Sequence, residues 1–382
     1  MQKRFGINII LPVIVIVLWG CPFPAAAERE RTDEGFFTML DEDGQVICRT
    51  AHYITAGDEY LTADNKLYRV EKIEQDNAHA RLVEEVTLSL VPARTSIFVE
   101  IRRAAAVFFS RNQQPVQGEE GEEKRPVALF HTHSGESYVP SEGCTHVEGC
   151  GGIMEVGEAM AGRLRKENVP VIHDRTCHAP QDAMSYDRSR RTVAELLQKN
   201  PVALIDIHRD AVPAEEYEKW IEGEKATMVQ FVVGRQNPNQ KASDAFARQV
   251  KAAVDKEYPG LVKGIFYGNG KYNQDMAPRL LLVEVGTHTI EREAAEKGAE
   301  IFAAAAHRVL SVGRATDRPL ASGAWRALLW IAGLLAVGVV FYLLINGGWE
   351  RIYQALGGRT GAAGTGRPKD ETGPDENPPG DE

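Results

Sequence analysis

A chain of 382 residues, 43% hydrophobic and 26% charged, is long enough for one large domain with a substantial core plus smaller flanking segments. It carries 54 acidic against 44 basic residues, a net charge of −10, and no basic cluster stands in its central part, so nucleic acid is not an expected partner. An uncharged or weakly charged polymer fits better, and the five cysteines contain no Cys-x-x-Cys pair that would suggest a cysteine-ligated zinc.

In chain order, Lys3 and Arg4 precede an apolar run from Ile7 to Trp19, and Ala25-Ala26-Ala27 follows as a cleavage site, so residues 1–27 read as an export signal or N-terminal anchor. Leu18-Trp19-Gly20-Cys21 has the outline of a lipoprotein box, with tryptophan a poor fit. Residues 34–91 hold short alternating runs such as Leu67-Tyr68-Arg69-Val70, broken by Asp-Glu-Asp-Gly and Ala-Asp-Asn, and predict a small β module whose chemistry is not legible. An acidic linker, 112–125, follows.

From 126 to 313 the pattern alternates. Val127–Phe130, Val169–Ile172, Val202–Ile207, Met228–Val233 and Leu280–Val285 read as strands. Ile153–Glu167, Arg188–Lys199, Lys241–Glu257 and Ile290–Leu310 read as helices, the first with Val156, Met160 and Leu164 on one face. The expected fold class is α/β, a mainly parallel sheet with flanking helices, in which sites lie beyond the carboxyl ends of the strands. Ala324–Ile345 is apolar apart from Arg326, and about twenty such residues cross a bilayer, so a transmembrane helix is expected at 324–346 with a disordered tail at 347–382. The export signal then places the middle of the chain outside the cytoplasm, on the cell membrane. Cys144, Cys150 and Cys177 lie close in sequence, and a Cys144–Cys150 loop staple is expected.

Three of the strand ends carry the chemistry. The first runs into His131-Thr-His133-Ser-Gly-Glu136, the central one into Asp206-Ile-His208-Arg209-Asp210, and the last carries Glu284 ahead of Gly286 and His288. His133, Glu136 and His208 form a candidate His/Glu/His zinc set, three protein ligands that leave a fourth position for water. His131 is the alternative to His133 as ligand or its supporting donor. Glu284, a carboxylate in an otherwise apolar strand, is the candidate general base and needs a charged partner. Arg209 either polarises the scissile carbonyl or pairs with Asp210. His146, His173, His178, His288 and His307 read as surface, packing or substrate-side residues. His208-Arg209-Asp210 also spells a kinase triplet, but no Gly-rich loop, strand lysine or Asp-Phe-Gly accompanies it. Nor does Ser134-Gly-Glu-Ser137 make a serine-hydrolase elbow.

HTHSGESYVP at 131–140, SYDRSRRTV at 185–193, LIDIHRDA at 204–211 and YNQDMAPRLLLVEVGTHTIEREA at 272–294 together resemble the stage II sporulation protein P family over roughly Val127–Leu310. The resemblance implies an amidase-like α/β fold and zinc-dependent hydrolysis of peptidoglycan during forespore engulfment, at the septal membrane. The implied activity is that of an N-acetylmuramoyl-L-alanine amidase, with cleavage of peptide cross-links as well. It implies His133 and His208 as metal ligands and Glu284 as the counterpart of the glutamate in the Val-Glu-x-Gly strand of related amidases. Amidases outside this family draw their glutamate ligand from a later helix, where Glu155 or Glu158 stands as the alternative to Glu136. Stage II sporulation proteins D and M are the implied partners. The Cys144–Cys150 insert and the C-terminal span depart from the family pattern. A non-catalytic, membrane-tethered peptidoglycan-binding or scaffold protein is the rival reading, with 34–91 as the binder. A zinc carboxypeptidase also uses His-x-x-Glu with a later histidine.

Overall fold

The computed structural model describes residues 31, 35–88, 124–182, 184–221, 223–311 and, further on, 331–335, 337–338 and 342. The expected export segment with Cys21, nearly all of the acidic linker and the tail lie outside the described residues. The chain divides into two units, Met1–Arg318 and Pro319–Glu382. In the second, the described residues are helical and their apolar side chains exposed. Among the described residues no helix is long and apolar enough to cross a membrane, and most of 324–346 lies outside them.

The first unit contains, in chain order, β1 (Phe37–Leu40), β2 (Val46–Thr50), β3 (Glu59–Thr62), β4 (Lys66–Glu74), β5 (Asn77–Glu85), β6 (Val127–Phe130), the short α1 (Val139–Glu142) and α2 (Ile153–Lys166). These are followed by β7 (Val171–His173), α3 (Ser185–Gln198), β8 (Ala203–Asp210), β9 (Glu218–Ile221), β10 (Glu224–Thr227) and β11 (Val229–Gly234). The last are α4 (Gln240–Glu257), β12 (Val262–Gly268), β13 (Leu280–Thr287) and α5 (Arg292–Ser311).

Among the described residues eleven strands form one sheet, in the order β2-β1-β5-β4-β3-β12-β11-β13-β8-β6-β7. The sheet is mixed, which corrects the expectation of a mainly parallel one. Strands β7, β6, β8 and β13 run parallel to one another, but β11 is antiparallel to β13, and β12 meets β3 antiparallel. The connections explain this. A helical crossover returns the chain parallel, as α4 does between β11 and β12. Between β8 and β11 the chain makes the β9–β10 hairpin instead of a long helix, and between β12 and β13 it makes only a loop, so both times it comes back in the opposite sense. Strand β12 was not expected: Lys263 and Gly264 interrupt its apolar run, although it is buried along nearly its whole length. It is also the strand that joins the N-terminal strands to the rest, through Glu59–Thr62 on Gly264–Tyr267.

The period of two along the central strands sorts the side chains onto two faces. Ile205 and Ile207 of β8, Val283 and Val285 of β13, and Phe231 and Val233 of β11 share a core with Ile153, Val156, Met160 and Leu164 of α2, Phe246 and Val250 of α4, and Phe302 of α5. Each such side chain contributes about 1.5–3 kcal/mol by leaving water. The alternate residues face the other way. There Leu282 and Val232 pack with Tyr60, Tyr186, Phe266 and Tyr272, while Asp206, His208 and Glu284 lie buried on the same side of their strands. Helices α2, α4 and α5 thus fill the first face, while α3 packs on the second, where Val193 and Leu196 meet Ala128, Phe130, Leu204 and Leu280 on the side that carries the polar residues.

Cys150 bonds Cys177, which corrects the expected Cys144–Cys150 staple; Cys144 has no disulfide partner among the described residues. The insert is fastened along the 133–136 turn by Val147 N to Gly135 O and Gly151 N to Ser134 O, each 2.8 Å, and this carries Cys150 to the segment after β7. The bond closes a loop with a sequence separation of 27 residues. For a loop of that size the entropy removed from the unfolded chain corresponds to about 3.5 kcal/mol. Cys177→Ser should therefore lower the thermal midpoint by about 10 °C in a circular-dichroism melt, whereas Cys144→Ser should leave it nearly unchanged.

Candidate metal centre and active site

Strand β6 ends at Phe130 and the chain turns at 132–135. The turn is tied to β8 by Asp206, which accepts from Thr132 N at 2.8 Å and from Thr132 Oγ1 at 2.6 Å. The turn brings His133 and Glu136 together over the end of β8. Glu136 Oε1 lies 3.4 Å from His133 Nδ1 and 3.9 Å from His208 Nδ1. One donor atom from each of the three residues falls within 4.8 Å of the others. All three side chains are buried.

Second contacts aim these groups. Arg209 N donates to Glu136 Oε2 at 3.0 Å, which leaves Oε1 directed at the imidazoles. His208 Nε2 faces Asp206 Oδ1 at 3.0 Å, so one proton belongs on that nitrogen, and Nδ1 faces Glu136, where an entering metal ion would displace a second proton. Burial works against charge on His208, but the Asp206 carboxylate, with Glu136, outweighs it and pushes the imidazole up to about 9. Burial likewise raises Asp206, yet His208 and the Thr132 hydrogen bonds bring it below the usual carboxylate range.

The donors fit a metal. Glu136 Oε1 and His208 Nδ1 are buried with no hydrogen-bond partner among the described residues. An uncompensated buried carboxylate oxygen is costly, and a cation between the three groups would remove the cost. Two imidazole nitrogens and one carboxylate oxygen are a donor set zinc accepts, and neighbouring donors of a tetrahedral site with bonds of about 2.0–2.1 Å stand about 3.3 Å apart.

Glu284 is the register partner of His208 on the neighbouring strand, so the two side chains rise from the same face. The pairing of β13 with β8 shifts between Glu284 and Thr287, where Gly286 has φ +73° and a Cβ would meet Ile290 Cδ1 at 2.3 Å. Only glycine suits that bulge. Glu284 Oε1 lies 2.8 Å from His52 Nε2, both side chains 1% exposed. The charged or polar partner that the apolar strand demands thus comes from the N-terminal strands.

His131 takes a different path. It sits on the helix side, with Nδ1 3.1 Å from Ile207 O and Nε2 2.9 Å from His173 Nε2, and burial pushes it down to about 3. Helix α2 approaches this pair closely, since a Cβ on Gly157 would lie 2.5 Å from His131 Nε2. Glu158 bonds His173 and Arg165, and Glu155 bonds Arg175, so neither joins the cluster. The Arg209 guanidinium contacts carbonyls of Ser137 (3.2 Å), Thr145 (2.6 Å) and Asp210 (3.4 Å) and ties the 136–146 segment to β8. Asp210 accepts from Ala51 N, Ala211 N and Tyr217 OH.

Two site residues escape a sequence reading. Tyr186 lies with its ring centroid 5.4 Å from His133 and 6.2 Å from His208, stacked on the latter at 12°. It stands inside the SYDRSRRTV stretch but carries no spacing signal of its own. His52 is 232 residues from Glu284 in a segment with no legible motif.

The fold and site thus define an α/β protein with a buried His/Glu/His candidate metal centre and a carboxylate beside it. Residues 56–307 match the family of Stage II sporulation protein P (SpoIIP), more than half of the chain, and the protein belongs to that family. It is 31% identical over 203 residues to Stage II sporulation protein P of Bacillus subtilis (strain 168), covering 47% of this chain and 51% of that protein. The chain therefore spans about half the length of the curated relative it matches. Among solved structures, the apo N-acetylmuramyl-L-alanine amidase Ami1 of Mycobacterium abscessus is similar at 16% identity and a TM-score of 0.33, over 49% of this chain and 96% of that one. An N-acetylmuramoyl-L-alanine amidase of Clostridium difficile 630 gives 15% identity and a TM-score of 0.31, over 49% and 95%. Both scores are below the level at which an overlay argues for a common fold.

Proposed function

We propose that the chain is a peptidoglycan hydrolase of sporulation, a zinc-dependent N-acetylmuramoyl-L-alanine amidase with a capacity for cross-link cleavage. The observation that carries this reading is the buried His133/Glu136/His208 cluster, with unsatisfied Glu136 Oε1 and His208 Nδ1, beside Glu284. Membership of the sporulation family supports the substrate.

His133, Glu136 and His208 would hold zinc. Bound there, zinc supplies a Lewis acid that acidifies water and polarises a carbonyl. Glu284 takes the proton of the attacking water and returns it to the departing amide nitrogen. Asp206 fixes the His208 tautomer, and the Arg209 backbone fixes Glu136. The Arg209 guanidinium serves the site by holding the 136–146 turn.

Purified sacculi incubated with the protein should release free stem peptides, identified by mass, and chelation should stop the release. A chain that sediments with sacculi and releases nothing would support the wall-binding scaffold instead. Membrane anchorage, an extracytoplasmic catalytic domain, a place in engulfment and partnership with stage II sporulation proteins D and M belong to the same proposal. They are supported by the apolar runs Ile7–Trp19 and Ala324–Ile345 and by the family.

A further inference from the structure

The N-terminal strands reach the site at one point. Asp210, two residues past His208, accepts from Ala51 N at 2.9 Å, and His52 N is 3.2 Å from Thr50 Oγ1. These bonds hold the turn after β2 so that His52 points under β13. Its ring stacks on Phe266, with centroids 5.7 Å apart at 24°, and meets Tyr272 edge-on at 6.0 Å. Held in this way, Nε2 reaches Glu284 Oε1 at 2.8 Å.

We infer that His52 is a positioning residue for Glu284, which makes the N-terminal strands part of the catalytic machinery rather than a separate binding module; this rests on the hydrolase reading above. An ionised carboxylate can only accept, so His52 carries its proton on Nε2 and donates it. A base oriented by a third group is the general pattern of activated catalytic sites. His52 thus fixes the orientation of the Glu284 carboxylate through Oε1. No proton leaves His52 in this role. Glu284 is the group that cycles.

The test uses the full chain, with kcat and KM for stem-peptide release, zinc content and thermal midpoint measured together. His52→Ala should lower kcat by about 10- to 100-fold, the usual cost of losing an orienting partner, with KM and zinc content unchanged. His52→Gln, whose amide N–H can still donate, should recover most of that loss. In a Glu284→Gln background His52→Ala should have almost no further effect, because the base it positions is gone. An unchanged kcat in His52→Ala would overturn the role. So would equal losses in the two backgrounds, zinc loss alongside, or a folded His52→Gln no better than alanine, each of which marks a merely structural histidine. A zinc-loaded wild type that releases nothing would overturn the hydrolase reading itself, and this role with it.

Discussion

His208→Ala is expected to empty the metal site. Elemental analysis should fall from about one zinc per chain to near zero, and stem-peptide release should fall with it. The side chain sits at the centre of the cluster, fully buried, with Nδ1 3.9 Å from Glu136 Oε1 and Nε2 3.0 Å from Asp206 Oδ1. Alanine removes one of three donors and also leaves the Asp206 carboxylate without its imidazole partner. Asp206→Asn offers a graded comparison. It keeps all three donors but weakens the hold on the His208 tautomer, and loss of such a partner typically costs about 10- to 100-fold in metal affinity. Full zinc retention in His208→Ala would remove His208 from the ligand set and sink the assignment.

Glu284→Gln should part chemistry from binding. The amide has nearly the shape of the carboxylate, so zinc content, thermal midpoint and sedimentation with sacculi should stay close to wild type. It cannot accept a proton, and removal of a general base typically costs about 10²- to 10⁴-fold in rate. The prediction is strict here because Glu284 stands outside the three-residue cluster while sharing its face of the sheet. Loss of zinc along with activity would make Glu284 a ligand. Unchanged activity would remove it from the mechanism.

Much of the domain from 126 onward is legible because its signals are local. Val156, Met160 and Leu164 recur at helical spacing and do face the core, and His133-x-x-Glu136 needs only one turn to converge. The strand-end positions of His208 and Glu284 follow from buried apolar runs ending in polar residues. The gathering of His133, Glu136 and His208 at one point was readable from that pattern, although which histidine of the 131–136 stretch stands in the cluster was not. A run treated as extended puts His131 and His133 on one side, whereas the turn at 132–135, held by Asp206 from another strand, sends them to opposite faces.

By itself the sequence determined the α/β alternation, the residue types of the cluster and its place at the strand ends, because each depends on side-chain period and residue type within about twenty residues. Only the tertiary structure decided strand direction, the disulfide and the partner of Glu284. Direction depends on whether a connection packs as a crossover helix or folds back as the β9–β10 hairpin does. Cys150 chose Cys177 over Cys144 because the insert is laid along the 133–136 turn by backbone bonds that no composition reveals. His52 meets Glu284 because β3 adds to the edge of β12 and Asp210 holds the turn that carries it. A contact across so much chain is chosen by sheet pairing and burial, and neither leaves a mark in the residues around His52.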